Sequence, residues 1–366
     1  MNLVLEKRPA PSPLFAAVSP LIALAATLAV GSLMFLLLGQ SPLAAFGAYF
    51  VSPLLEVWSV HELLNKAAPL ILIGVGLAVC FRSGNWNIGA EGQFVMGGIT
   101  GSLLPVLLPE LAGGWLLPAM FVCGMAGGAL YAAIPAILKT RFGANEILTS
   151  LMLVYVAQLF LDWLVRGPWR DPAGYGFPGT PAFGSDAVLA DLLPAGAYGG
   201  AAHVGIVLAL VAAFALWIML GRTLKGFEVS VIGASGRAGR FAGFSAARMT
   251  LFAFLLSGAL AGIAGLAEVT GNVEKLDEKL SIGYGFSAII VAFLGRLNPL
   301  GIVAAGFVLA LSYLGGEAAQ ITLGISDKTA SVFQGLLLFF VLAADTLIHY
   351  RVRLVPSTRE PAAETV

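Results

Sequence analysis

The sequence predicts an all-α, polytopic membrane protein, and three observations carry that expectation. Hydrophobic residues make up 58% of the chain and charged residues 11%, against roughly 45–50% and about 25% in soluble domains. The mean hydropathy is +0.91. Apolar runs recur along nearly the whole length, most of them close to the roughly 20 residues a helix needs to cross a bilayer core. Net charge is +0, with no basic field and no basic–aromatic pattern, so the partners expected are membrane lipid and protein, with no nucleic acid.

In chain order, residues 1–13 are short and polar and carry Lys7 and Arg8. The run 18–39 is too long for a signal-peptide core of roughly 7–15 residues and reads as the first span. Residues 40–61 place Pro42 and Pro53 around Phe46, Tyr49 and Phe50, which predicts an amphipathic piece on the outer interface. Further spans are expected at 62–82, 88–108, 115–138 and 147–166. A Gly/Pro-rich external loop follows at 167–202, with Asp171, Asp186 and Asp191. The remaining expected spans are 203–220, 250–270, 284–297, 300–320 and 329–348. The segment 284–297 is short and is closed by Arg296-Leu297-Asn298-Pro299, where proline breaks or starts a helix. The charged segment 271–281 between two of these spans has room for a short surface helix.

These are ten spans in one membrane domain, residues 1–366, and charge orients them. With both termini in the cytoplasm, fourteen basic residues fall inside and six outside, as the positive-inside rule requires. The outer six are Lys66, Arg166, Arg170, Lys275, Lys279 and Lys328. Adding or removing one span would put the basic loop at 221–249 and the basic C-terminal tail on opposite faces.

Two stretches carry chemistry. The run from Phe81 to Gly98 interrupts apolar sequence with Arg82, Asn85, Asn87, Glu91 and Gln93 among five glycines. Polar groups at membrane depth must be packed inside protein or line a wet cavity. Asn85, Asn87, Gly89, Glu91 and Gln93 are therefore candidates for a substrate pathway or for a structural polar segment. An inner turn with Asn87 as helix cap and Glu91 favouring the helix dipole is an equally open reading. The second stretch is the inner loop 221–249, where small residues alternate with Arg237, Arg240, Phe241 and Phe244. Small residues admit another backbone, and aromatic and arginine side chains anchor interfaces. Gly233, Gly236, Arg237, Arg240, Gly243 and Phe244 are the docking candidates; a plain positive-inside loop competes with them. A Gly-x-x-x-x-Gly-Lys-Ser/Thr phosphate loop is absent from the sequence, so nucleotide-driven transport would need a separate ATPase chain.

Other features read as structure. Asn145 and Glu146 suit a helix start; Gly258, Gly262 and Gly265 make a close-packing helix face; Glu268, Glu317 and Asp345 sit near span ends, where snorkelling is cheap. Cys80 and Cys123 suggest packed thiols. His61, His203 and His349 lack metal-ligand spacing. The residues present compose no catalytic set for covalent or acid–base chemistry, so enzymatic activity is not expected.

Four stretches then resemble a known family: Asn87 to Gln93, Gly143 to Leu153, Gly233 to Gly243, and Gly283 to Phe286 with Asn298 to Gly301. The chain is similar to permease subunits of bacterial ATP-binding-cassette importers, in the simple sugar and nucleoside branch of the branched-chain amino acid and ribose permease group. Trp86 and Ser235 to Arg240 depart from the pattern. The resemblance implies the importer permease fold and a plasma (inner) membrane location. It implies translocation of a nucleoside or simple sugar into the cytoplasm by alternating access. Its expected partners are a second, different permease subunit, a cytoplasmic ATPase carrying ATP and Mg, and an external binding protein; it implies no cofactor on this chain. Gly233 to Phe244 would be the ATPase-coupling segment. The competing readings are an ion-coupled secondary transporter, which would show broken helices in both halves, and a branched-chain amino acid permease.

Overall fold

The computed structural model describes residues 2–7, 13–193, 201–326 and 328–355. Strand β1 (Asn2–Lys7) precedes helix α1 (Pro13–Leu37). A broken segment follows, with α2 (Pro42–Phe46), a π-helical turn (Gly47–Val51) and α3 (Ser52–Leu55). Next come α4 (Val57–Arg82), α5 (Ala90–Gly101), α6 (Leu103–Leu107), α7 (Leu116–Phe142) and α8 (Glu146–Arg166). A two-stranded hairpin of β2 (Asp191–Leu193) and β3 (Ala202–His203) leads into α9 (Gly205–Arg222), α10 (Leu224–Ala234) and α11 (Gly236–Phe241). The chain then forms α12 (Ala246–Glu268), α13 (Tyr284–Leu294), α14 (Pro299–Leu323), α15 (Lys328–His349) and β4 (Tyr350–Val355).

The chain forms two compact units, residues 44–330 and residues 1–43 with 331–366. Within the latter, β1 pairs antiparallel with β4, from Asn2 opposite Val355 to Lys7 opposite Tyr350. The expected positions Arg8 and Arg359 and the side chain of Asp345 lie outside the described residues.

Local chemistry starts the helices of the larger unit. The Asn145 side chain accepts the Ile147 N–H at 2.9 Å at the head of α8, as the sequence predicts. Ser235 and Ser245 cap α11 and α12. Asn298 caps α14 beside Pro299 in its first turn. Within this unit α4 packs against α9, α12, α13 and α14, while α5 packs against α7, α8, α12 and α13.

Six helices among the described residues are long and apolar enough to cross a membrane: α4, α7, α8, α9, α14 and α12 with its extension to Val273. Of the other four expected spans, 18–39 passes only together with Pro42–Leu55, 329–348 keeps the shorter apolar stretch Ser331–Ala344 among the described residues, and two are shorter helices. Segment 88–108 becomes α5 and α6, divided at Ser102; segment 284–297 becomes the 11-residue α13. Glycines and Pro105 weaken the first as a continuous helix, and the second ends early, at Leu294, where Gly295 caps it and Arg296 and Leu297 take positive φ of 56° and 54°.

The segment 221–249, expected as a loop, holds two helices, α10 and α11, ahead of α12. The aromatic piece within 40–61 packs into protein as well: Tyr49 is buried, and a Cβ on Gly315 of α14 would meet the Tyr49 carbonyl oxygen at 2.2 Å. The segment 271–281 completes a π-helical turn (Val269–Val273) and forms a 3-10 turn (Glu278–Leu280). Facing it, the described part of the 167–202 loop is tied down by hydrogen bonds to residues 270–276, among them Thr180 N–H to Leu276 and Leu189 N–H to Thr270, while 194–200 lie outside the described residues.

The small-residue face of α12 does what its sequence suggests. A Cβ on Gly258 would meet the Gly128 carbonyl oxygen at 2.4 Å, and one on Gly262 the Gly124 carbonyl oxygen at 2.2 Å. One on Gly265 would meet the Phe94 carbonyl oxygen at 2.0 Å. Backbone therefore lies against backbone between α12 and both α7 and α5.

Candidate functional site: the polar run and its partners

Arg82 ends α4, and the chain then turns through Ser83 and Gly84, whose φ is +74°. Asn85, Asn87, Glu91 and Gln93 are all buried, between 0% and 3% exposed. Each needs its hydrogen bonds supplied by protein, and those bonds fall into three clusters.

The first, at the foot of α4, gathers on Asn85. Its carbonyl oxygen accepts from the Lys139 ammonium and the Thr250 hydroxyl, both at 2.9 Å. Its amide donates to the Ser83 hydroxyl at 2.8 Å. Lys139 also pairs with Glu146 at 2.5 Å. One amide thereby connects α4, α7, α8 and α12. Lys139 and Glu146 lie on facing helix ends, which the spacing of a helix–turn–helix makes possible.

In the second cluster Asn87 and Gln93 form a reciprocal amide pair. Asn87 donates to the Gln93 carbonyl oxygen at 2.9 Å, and Gln93 donates back at 3.0 Å. Asn87 also donates to the Ser257 hydroxyl at 3.1 Å and accepts the Gly89 N–H. Gly89 itself has no room for a side chain, since a Cβ there would meet the Ser150 carbonyl oxygen at 2.7 Å.

The third cluster belongs to Glu91. Its carboxylate accepts from the Ser281 hydroxyl at 2.7 Å, the Gly283 N–H at 2.9 Å and the Gly285 N–H at 2.5 Å. Glu91 stands in the first turn of α5, and the two N–H donors stand at the start of α13. Two short helices therefore present their positive ends to one carboxylate. Gly285 permits the approach, because a Cβ on it would meet the Glu91 backbone nitrogen at 2.2 Å.

The five sequence candidates thus form no single site. Asn85 serves the foot of α4, Asn87 and Gln93 bind each other beside Gly89, and Glu91 joins α5 to α13. Trp86, the departure noted in the sequence, is half-exposed and makes an aromatic platform with Phe81 and Phe293, at centroid distances of 5.3 and 6.1 Å.

The second stretch touches the first directly. A Cβ on Gly233 would lie 1.8 Å from the Arg82 carbonyl oxygen, and Gly84 also faces the Gly233 Cα. Beyond that contact, α11 exposes Gly236, Arg237 and Arg240, and Phe241 is 98% exposed. Gly243, at φ +82°, ends the helix; Phe244 turns back edge-on to Phe227.

One residue escaped the sequence reading. Glu268 does not snorkel but is 6% exposed at the end of α12. It follows Gly265 by three residues, and so it continues the glycine face that packs inward; that spacing was the available signal.

Residues 59–342 match the family described as branched-chain amino acid transport system / permease component. Over 342 residues the chain is 35% identical to a glucose ABC transporter permease protein of Haloferax volcanii, spanning 91% of this chain and 89% of that one. A guanosine ABC transporter permease protein of Bacillus subtilis is 30% identical over 339 residues, 92% of this chain and 94% of its own. A second guanosine ABC transporter permease protein of the same organism is 27% identical over 266 residues, 70% of this chain and 82% of its own.

Proposed function

This chain belongs to the branched-chain amino acid transport system / permease component family, in its simple sugar and nucleoside branch, and from that premise we propose that it is the membrane subunit of an ATP-driven importer. Permease subunits of this kind are not enzymes; the ATPase is a separate polypeptide. The solute is a sugar or a nucleoside, consistent with the glucose and guanosine relatives. Their shared chemistry is a hydroxylated ring. Membership in this family, and in this branch of it, disfavours both the ion-coupled and the branched-chain amino acid alternatives.

The expected partners are a cytoplasmic ATPase, an external binding protein and a second permease, the last supported by the two guanosine permeases of one organism. The expected location is the plasma membrane, inner in a Gram-negative cell, with both termini inside. Pairing of β1 with β4 supports termini on one face, and the distribution of basic residues supports the cytoplasmic side.

The observation that carries the mechanism is the seating of Gly233 on Arg82. Closure of the ATPase subunits around ATP displaces α11 through Arg237, Arg240 and Phe241. Gly233 passes the displacement to the foot of α4, where the Asn85 cluster joins four helices. The outward and inward states differ in what they offer the ATPase and the binding protein, and those differential contacts drive the shift. In the assembled transporter, Arg237→Glu with Arg240→Glu should uncouple ATP hydrolysis from uptake while the protein remains in the membrane. Unchanged uptake of labelled guanosine or glucose in that double variant would remove the coupling assignment.

A further inference from the structure

The buried polar side chains Asn85, Asn87, Glu91 and Gln93 all have protein hydrogen-bond partners, and Glu91 accepts three. Glu268 differs. Its Oε1 accepts from Asn272 at 2.9 Å, but its Oε2 is buried without a hydrogen-bond partner among the described residues. A buried carboxylate oxygen left open costs free energy that a structural role would have removed.

The surroundings of this oxygen are chemically mixed. Glu62 and Lys66 of α4 act electrostatically on Glu268. Lys66 pairs with Glu317 of α14 at 3.0 Å. On the α13 side, the Glu268, Glu62 and Glu317 carboxylates act electrostatically on Tyr284, and its ring packs edge-on against Tyr313 at 5.7 Å. The Tyr313 hydroxyl shares a 2.8 Å hydrogen bond with Ser287. Four helices thus place carboxylates, an ammonium and two tyrosines in one electrostatic neighbourhood with Glu268. Glu268 is also the last residue before the π-helical turn Val269–Val273, a helix irregularity that is frequent at functional sites.

We propose that Glu268, with Glu62, Lys66 and Tyr284, forms a solute-binding station that takes the hydroxyl groups of a sugar or ribose ring. This rests on the sugar or nucleoside reading above. Glu268 Oε2 accepts a ring hydroxyl, Lys66 donates to a second oxygen, and the Tyr284 ring covers an apolar face of the solute. The same residues place the station at the end of α4 opposite Gly233. Glu62 and Lys66 lie in the first turns of α4, whereas Gly233 seats on its last residue, Arg82.

The test uses the complete transporter in proteoliposomes, with its own binding protein, in wild type, Glu268→Gln, Glu268→Asp and Lys66→Met. Uptake of adenosine is compared with 2′,3′-dideoxyadenosine, and of glucose with 2-deoxyglucose. The wild type should favour the fully hydroxylated member of the transported pair. Glu268→Gln should shrink that preference by about tenfold, the scale of one charge-assisted hydrogen bond, with Glu268→Asp in between and Lys66→Met also reducing it. A purely structural glutamate would lower both members of a pair alike, and an unchanged ratio in the Gln and Asp variants overturns the station. Wild-type uptake of none of the four solutes overturns the sugar or nucleoside reading itself, and the station with it.

Discussion

Glu91→Ala separates a structural carboxylate from a substrate contact. The substitution removes the acceptor of the Ser281 hydroxyl and of the Gly283 and Gly285 N–H groups. Each buried donor left without a partner costs about 1–3 kcal/mol. The Gly285 donor lies deep against α5, whereas Ser281 and Gly283 are nearer the surface and recover part of their loss from water. The net destabilisation is therefore on the order of 4 kcal/mol. Glu91→Gln keeps one acceptor oxygen but turns an NH2 group towards a donor, so it costs roughly half as much. The measurement is the thermal midpoint of the purified protein in detergent, followed by tryptophan fluorescence, beside solute uptake at matched expression. Glu91→Ala should lower the midpoint by several degrees and reduce uptake with it, and Glu91→Gln should fall between that variant and wild type. A Glu91→Ala protein with the wild-type midpoint but no transport would refute the clamp and return Glu91 to the solute pathway.

Three further outcomes follow from close contacts and burial. Gly262→Leu, whose first added carbon would lie 2.2 Å from the Gly124 carbonyl oxygen, should cost at least about 3 kcal/mol by forcing α12 from α7; it should be seen as loss of the monodisperse peak in size-exclusion chromatography. Gly233→Val should keep that peak but lower uptake, because its Cβ would fall 1.8 Å from the Arg82 carbonyl oxygen. His203, in β3, is held neutral by burial, with a pKa of about 4 against the usual 6.5, and Asp191 opposes the shift. The unfolded chain takes up this proton first, so stability should fall as pH drops from about 6.5 to about 4, by about 3 kcal/mol in all. His203→Asn should flatten that part of the curve, measured as thermal midpoint against pH.

The sequence made the membrane class, the helix starts and the two polar stretches readable, because hydropathy, caps and glycine spacing are local. Asn145 capping α8 and Gly258, Gly262 and Gly265 packing α12 against its neighbours are of this kind. The pairing of polar groups was not local. Asn85 meets Thr250 across 165 residues and Glu91 meets Gly285 across 194, and nothing in the run from Phe81 to Gly98 specifies those partners. The shorter helices divide between the two: their breaks at Ser102 and Gly295 are local, but the contact that holds them together is not. Residues 88–108 and 284–297 are apolar enough to resemble spans, but Glu91 and Gly285 bring their first turns together, and that meeting is a tertiary fact. Glu268 was misjudged for a related reason: its place near a helix end suggested water, while the glycines one turn earlier turned it inward.

The three hydrogen-bonded clusters also restrict where alternating access can move the protein. Between them they tie α4, α5, α7, α8, α12 and α13, and pulling any cluster apart leaves buried polar groups unpaired at about 1–3 kcal/mol each. Separating all three would cost several times that amount, with no compensating water in a glycine-packed interior. The motion is therefore expected at surfaces that lack such bonds, chiefly the exposed outer faces of α8 and α9 and the α10–α11 pair, while the tied helices move as a block. A bridge inside the block should then be harmless. A Cβ on Gly98 of α5 would lie 3.3 Å from a Val269 methyl group, just beyond α12, so Gly98→Cys with Val269→Cys can be joined by oxidation after Cys80 and Cys123 are replaced. Uptake should be the same before and after oxidation, with bridge formation checked by mass spectrometry. If oxidation stops uptake and reduction restores it, α5 and the end of α12 move against each other during transport, and the block is wrong.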